Sequence, residues 1–130
     1  KCSARRTLTN TPLQALVLLN DTTYVEAARW LATRMLLEGG KTTATRLDLG
    51  FRLATGRRPA AKEVAILKET LDAQLLDYKR HEDRAAALLK NGDTPVDPRI
   101  AEAKISSQEL AAWTTLASML LNLDETITKQ

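Results

Sequence analysis

Residues 106–125, SSQELAAWTTLASMLLNLDE, form the most apolar stretch of the chain. No charged residue falls between Leu110 and Leu123, and the only polar side chains there are Thr114, Thr115, Ser118 and Asn122. A helix that is apolar on nearly every face is stable in water only when other elements surround it. The run is shorter than the roughly 18 apolar residues a membrane span requires. Ser106 followed by Glu109 fits a capping box, and the sequence turns polar again from Asn122 to Glu125. The pattern therefore predicts a central core helix that buries Leu110, Trp113, Leu116 and Leu120.

Helical spacing recurs upstream. Lys1 to Asn10 is polar and basic and reads as an irregular lead-in. Pro12 suits the first position of a helix, because its missing N–H would be unbonded there anyway. Leu13, Leu16 and Val17 give that helix a buried side. Asp21 is placed to cap a second helix, whose apolar stripe is Tyr24, Val25, Ala28, Leu31, Ala32, Met35 and Leu36. Arg29, Arg34 and Glu38 point elsewhere on this reading, and Gly39-Gly40 ends the helix. A third helix over Thr43–Thr55 buries Leu47, Phe51 and either Leu53 or Ala54, with Gly56 as its stop. From Ala60 to Asn91 the apolar positions Val64, Leu67, Leu71, Leu75 and Tyr78 are followed, after the polar run KRHEDR, by Ala85, Leu88 and Leu89. Unbroken, such a helix spans about 45 Å and projects from the body; the alternative is a break near His81. With no Gly or Pro inside it, a continuous helix is expected. Residues 92–105 read as a loop. The sum is an all-α domain, an irregular bundle of about five helices around the C-terminal one.

Composition fits that architecture. The chain has 130 residues, 44% hydrophobic and 27% charged, with aromatics at 4%, so the core is built from aliphatic side chains. Cys2 is the single cysteine, which excludes a disulfide framework and a thiolate metal site. The opening Lys-Cys-Ser carries no initiator Met or signal sequence, and the chain is expected to be one domain of a larger protein. Charge is uneven: residues 1–58 hold 10 Lys/Arg against 4 Asp/Glu, and residues 59–130 hold 9 against 12. Packing of complementary halves accounts for this; so does an acidic partner met by the basic half. Arg5, Arg6, Arg57 and Arg58 are the candidate docking residues. Arg57 and Arg58 also lie just past a helix C-terminus, where the backbone dipole favours cations.

Two segments carry a family likeness. Cys2, Arg5-Arg6, Thr9, Thr11-Pro12-Leu13-Gln14-Ala15-Leu16 and Leu18-Leu19-Asn20-Asp21 form one. Glu109-Leu110-Ala111-Ala112-Trp113-Thr114 with Leu120 to Glu125 form the other, and Ala54-Thr55-Gly56-Arg57-Arg58-Pro59 with Glu63 lies between. The chain resembles the later, C-terminal part of a planctomycete domain of unknown function. It departs where the family often has Thr or Ser, here Ala60, and where it often has Pro, near His81. The resemblance implies an exported protein, at the periplasm or cell surface, in which a cytochrome c-like domain accompanies this one. It implies no established activity, and any haem belongs to another domain.

The residues themselves supply little catalytic chemistry. Haem attachment needs Cys-x-x-Cys-His, which Cys2 does not begin, and Met35 or Met119 on an apolar helix face reads as core rather than as an axial ligand. His81, the single histidine, sits in a charged run without the converging ligands zinc requires or a nucleophile turn for a triad. The acids of the 92–105 loop are too dispersed for a calcium loop. Glu109 and Asp124 lie roughly 20 Å apart along one helix, too far for a glycosidase pair. Gly39-Gly40-Lys41 lacks the setting of a P-loop, and Arg46 and Arg52 sit among acids, against a nucleic-acid partner. The expected role is a structural or interaction module contacting other domains of its own polypeptide, with no cofactor of its own and no membrane span. The rival is part of an enzyme site, redox or polysaccharide-processing, completed by an upstream half.

Overall fold

The computed structural model describes residues 21–92 and 94–128, with side chains as far as Leu123. Six helices and no strand occur among them: α1 Thr22–Glu38, α2 Thr43–Thr55, α3 Ala61–Arg80, α4 Glu82–Lys90, α5 Pro98–Glu102 and α6 Ser107–Thr128. The expected first helix with Pro12 and Leu16, the lead-in, and Arg5 and Arg6 lie outside the described residues. The architecture is all-α.

Helix α6 is the centre. Helices α1, α2, α3 and α4 all pack against it, α1 most extensively. Every residue from Leu110 to Leu120 is buried, including Leu110, Trp113, Leu116 and Leu120. Leu31, Phe51, Leu67 and Leu71 meet them from the surrounding helices. Burying a polar group without a partner costs about 1–3 kcal/mol, and this helix avoids that cost. The Thr114 hydroxyl donates to the Leu110 carbonyl at 2.8 Å, and Thr115 donates to Ala111 at 3.1 Å. Tyr78 meets the Thr115 hydroxyl at 2.9 Å, and the Tyr24 hydroxyl donates to the Ser118 carbonyl at 2.8 Å. The two tyrosines thus tie α3 and α1 to the core helix by polar as well as apolar contact.

Local sequence explains the helix ends. Asp21 Oδ1 accepts from the Tyr24 N–H at 3.0 Å, and Ser106 Oγ from the Glu109 N–H at 3.1 Å, each satisfying an otherwise orphaned donor. Gly56 ends α2 with φ 80°, a left-handed conformation that costs a side chain dearly. Ala60 has no oxygen with which to cap α3. The reciprocal half of the box survives, with Glu63 Oε1 accepting from the Ala60 N–H at 2.9 Å.

Two expectations are corrected. The continuous helix over 60–91 breaks at His81, whose φ −131° and ψ 68° leave the helical region. The break folds α4 back onto α6, burying Ala85 and half-burying Leu88 and Leu89; a straight helix would carry all three away from the core. The polar run is the corner, braced where Arg84 Nη2 reaches both Asp77 oxygens at 2.7 Å. Among the described residues, α3 and α4 thus both pack on α6 instead of projecting from it. The 92–105 loop contains α5, which Asp97 caps through the Arg99 N–H at 2.8 Å and Pro98 opens, so that Ile100 enters the core.

Candidate functional site

Glu26, Arg29, Trp30 and Thr33 recur at three- and four-residue spacing and so form one stripe of α1. The stripe faces the segment Thr94–Pro98, and between them runs an open groove of about 360 Å³. Arg29 is its floor. Only 4% of this residue is exposed, yet among the described residues it meets no carboxylate; Nη1 donates to the carbonyls of Leu89 at 2.7 Å and Asn91 at 3.3 Å, and Nη2 donates to that of Thr94. Glu26 completes the clamp by accepting from the Thr94 N–H at 2.7 Å, and Thr22 donates to the Asn91 side chain at 3.0 Å. A Cβ on Gly92 would fall 2.6 Å from Glu26 Cγ, so only glycine lets the segment lie this close to α1.

The groove's upper part is less enclosed. Trp30 is 60% exposed, with the Arg34 guanidinium 5.2 Å from its ring centroid and Arg34 itself paired to Glu38 at 2.9 Å. Opposite lie Pro95, Val96 and Pro98. Asp97, on the same wall, accepts from Arg99 Nε and Nη2, and these bonds hold its carboxyl below the usual carboxylate range. On the far side of Val96, Asp97 and Pro98 is a second, more apolar groove of about 460 Å³, walled by Leu89, Ile100, Ile105 and Leu110.

The residues singled out for docking do not gather here. Arg57 lies at the α2–α3 turn, where its guanidinium grips both Glu63 oxygens at 2.8 Å and lies 4.7 Å from the Phe51 ring centroid. The pairing lowers the Glu63 pKa, the Arg57 bond contributing most and the Ala60 N–H assisting, while partial burial opposes it. Arg58 is exposed beside it. His81 is at the α3–α4 corner, its Nε2 3.9 Å from Asp77 Oδ1. Met35 and Met119 are core. Among the described residues no three His, Cys, Asp or Glu side chains gather as a metal site, and no helix is long and apolar enough to cross a membrane.

Arg29 is the residue that sequence reasoning misplaced. It does not point away from the core: position 29 stands four after Val25 and seven before Leu36, on the buried side of the stripe. A charge at an apolar register is the signal that marks it.

Neither the curated proteins nor the solved structures searched contain a match to the chain. Residues 1–71 match the model of a family described as PSD1, a protein of unknown function (DUF1553). The matched segment carries α1 and α2 and the first half of α3, and so one wall of the groove and the Arg57–Glu63 corner. The chain belongs to this PSD1 family.

Proposed function

We propose that the chain is a helical packing module of a larger exported protein, docked on a neighbouring domain through the α2–α3 corner. The observation carrying this reading is that Leu53, 41% open to solvent in the last turn of α2, and exposed Arg58 flank a corner that Arg57, Glu63 and Phe51 brace. An exposed apolar side chain and an exposed cation at one braced corner are the composition of a docking point rather than of a catalytic centre. The excess of Lys and Arg over residues 1–58 supports an acidic face on the neighbour. The sequence resemblance supports export, a planctomycete-type setting and a haem-bearing cytochrome c-like domain as that neighbour.

Differential scanning calorimetry of the full-length protein tests the reading. Combining Leu53→Asp with Arg58→Glu is expected to split one cooperative transition into two, since the domains then unfold separately. A single transition at an unchanged temperature contradicts docking at this corner. Native mass spectrometry of the same preparation reads whether haem accompanies the polypeptide.

A further inference from the structure

The Trp30 groove lies away from the α2–α3 corner and is built differently. Among the described residues that line it, the charges balance: Arg29 is buried without a carboxylate partner, Glu26 supplies a negative charge on the same stripe, and Asp97 is neutralised by Arg99. A cation entering the groove gains from Glu26 and loses to Arg29, and an anion meets the reverse. Neither sign of ligand is selected.

The polar groups are also held rigidly. Thr33 donates its hydroxyl proton to the Arg29 carbonyl at 2.8 Å, which turns its oxygen lone pairs outward. Glu26 is fixed by the Thr94 N–H. Arg29 directs three of its five N–H groups at carbonyls, leaving Nε–H and one Nη2–H as its remaining donors among the described residues. No side-chain nitrogen or oxygen in the described structure is both sealed and unbonded, so Nε is not sealed, and Arg29 is one of the residues that line the groove. Fixed acceptors beside a fixed donor suit a ligand whose groups both give and accept hydrogen bonds, as neighbouring hydroxyls do. Trp30 adds a flat apolar surface. Trp30 is among the residues that line the groove, and Arg34, whose guanidinium lies over its ring, is not. The C–H bonds on one face of a pyranose ring are weakly positive and stack on the negative face of an indole.

We propose that this groove binds a neutral carbohydrate, one pyranose ring resting on Trp30 with its hydroxyls on Arg29 Nε, Thr33 and Glu26. The site stands independently of the docking corner. It is tested by titrating the full chain with cellohexaose, mannohexaose and xylohexaose, following intrinsic fluorescence. Trp113 is buried, so exposed Trp30 supplies the response. A heparin-derived hexasaccharide and hexalysine are the charged comparisons. At least one neutral hexasaccharide is expected to shift the emission and to bind at least 10-fold more tightly than either charged probe. By isothermal calorimetry, Trp30→Ala is expected to weaken that affinity at least 10-fold and Thr33→Val about 3-fold, with melting temperatures unchanged for Trp30→Ala. Three results overturn the proposal: no response to any neutral hexasaccharide, tighter binding of a charged probe, or neutral binding that Trp30→Ala leaves intact.

Discussion

Arg29 Nη1 donates to the Leu89 carbonyl at 2.7 Å, joining the first described helix to the end of α4 across 60 positions of sequence. With its bonds to Asn91 and Thr94, this side chain joins Glu26 and Thr22 in holding the segment between α4 and α5 against α1. A buried cation that holds several carbonyls is costly to remove, because its charge-assisted bonds and the packing of its stem are lost together. Arg29→Met is expected to destabilise the chain by about 2–4 kcal/mol in urea unfolding. Arg29→Lys should recover little, since one ammonium lacks the fork that spans these acceptors. Full stability in either variant would remove Arg29 from its assigned role.

Gly50 lies in α2 where Met35 of α1 crosses it. A Cβ there would stand 2.4 Å from Met35 Cε and 2.5 Å from its sulfur, and Met35 is fully buried. Alanine improves helix propensity by about 1 kcal/mol, but overpacking a filled core costs about 1–3 kcal/mol. Gly50→Ala is therefore expected to lower stability by about 1 kcal/mol net. A double-mutant cycle with Met35→Leu should show favourable coupling; strict additivity would mean the contact is not the cause.

Burial raises the pKa of Tyr78, and its bond with Thr115 only partly offsets this. The raised value means that the contribution of Tyr78 is complete below about pH 10 and is lost as pH climbs through the folded-state value. Tyr78→Phe is expected to cost about 1 kcal/mol at neutral pH, and modestly so because Thr115 keeps its bond to Ala111. Its stability should also fall less steeply than wild type above about pH 10. Parallel pH profiles would contradict a buried, protonated phenol.

Glu63 moves the opposite way, its pKa held down chiefly by Arg57. Stability from this carboxylate is present above its ordinary value, about pH 4.3, and disappears as pH drops through the lowered one. Glu63→Gln should cost about 1 kcal/mol or less at pH 7, with the difference from wild type shrinking as pH falls below about 4. Chemical denaturation at pH 7 and pH 3 measures both.

The parts legible in the sequence are those fixed by local rules. Asp21, Ser106 and Gly56 sit where capping chemistry requires them, and the uncharged run from Leu110 to Leu123 reveals a helix that is buried on nearly every face. The break at His81 was less visible, because no Gly or Pro causes it. It arises from tertiary gain, as Ala85 reaches the core only if the chain turns. Helix α5 was missed although Asp97-Pro98 is a cap followed by a first-turn proline. Arg29 was misplaced because polarity outweighed register, when a guanidinium can be buried if carbonyls converge on it. The Trp30 groove has one wall from α1 and one from residues 94–98, and no local pattern announces such a pairing.

The central claim is that α6 is enclosed by the other helices from Leu110 to Leu120. Native-state hydrogen exchange of the full chain tests it most directly. The amides of Leu116, Ala117 and Leu120 are expected to exchange only through global unfolding, with free energies matching denaturant unfolding and exceeding those of α4 and α5. Exchange of these amides at lower free energy than the α4 amides would contradict the enclosure.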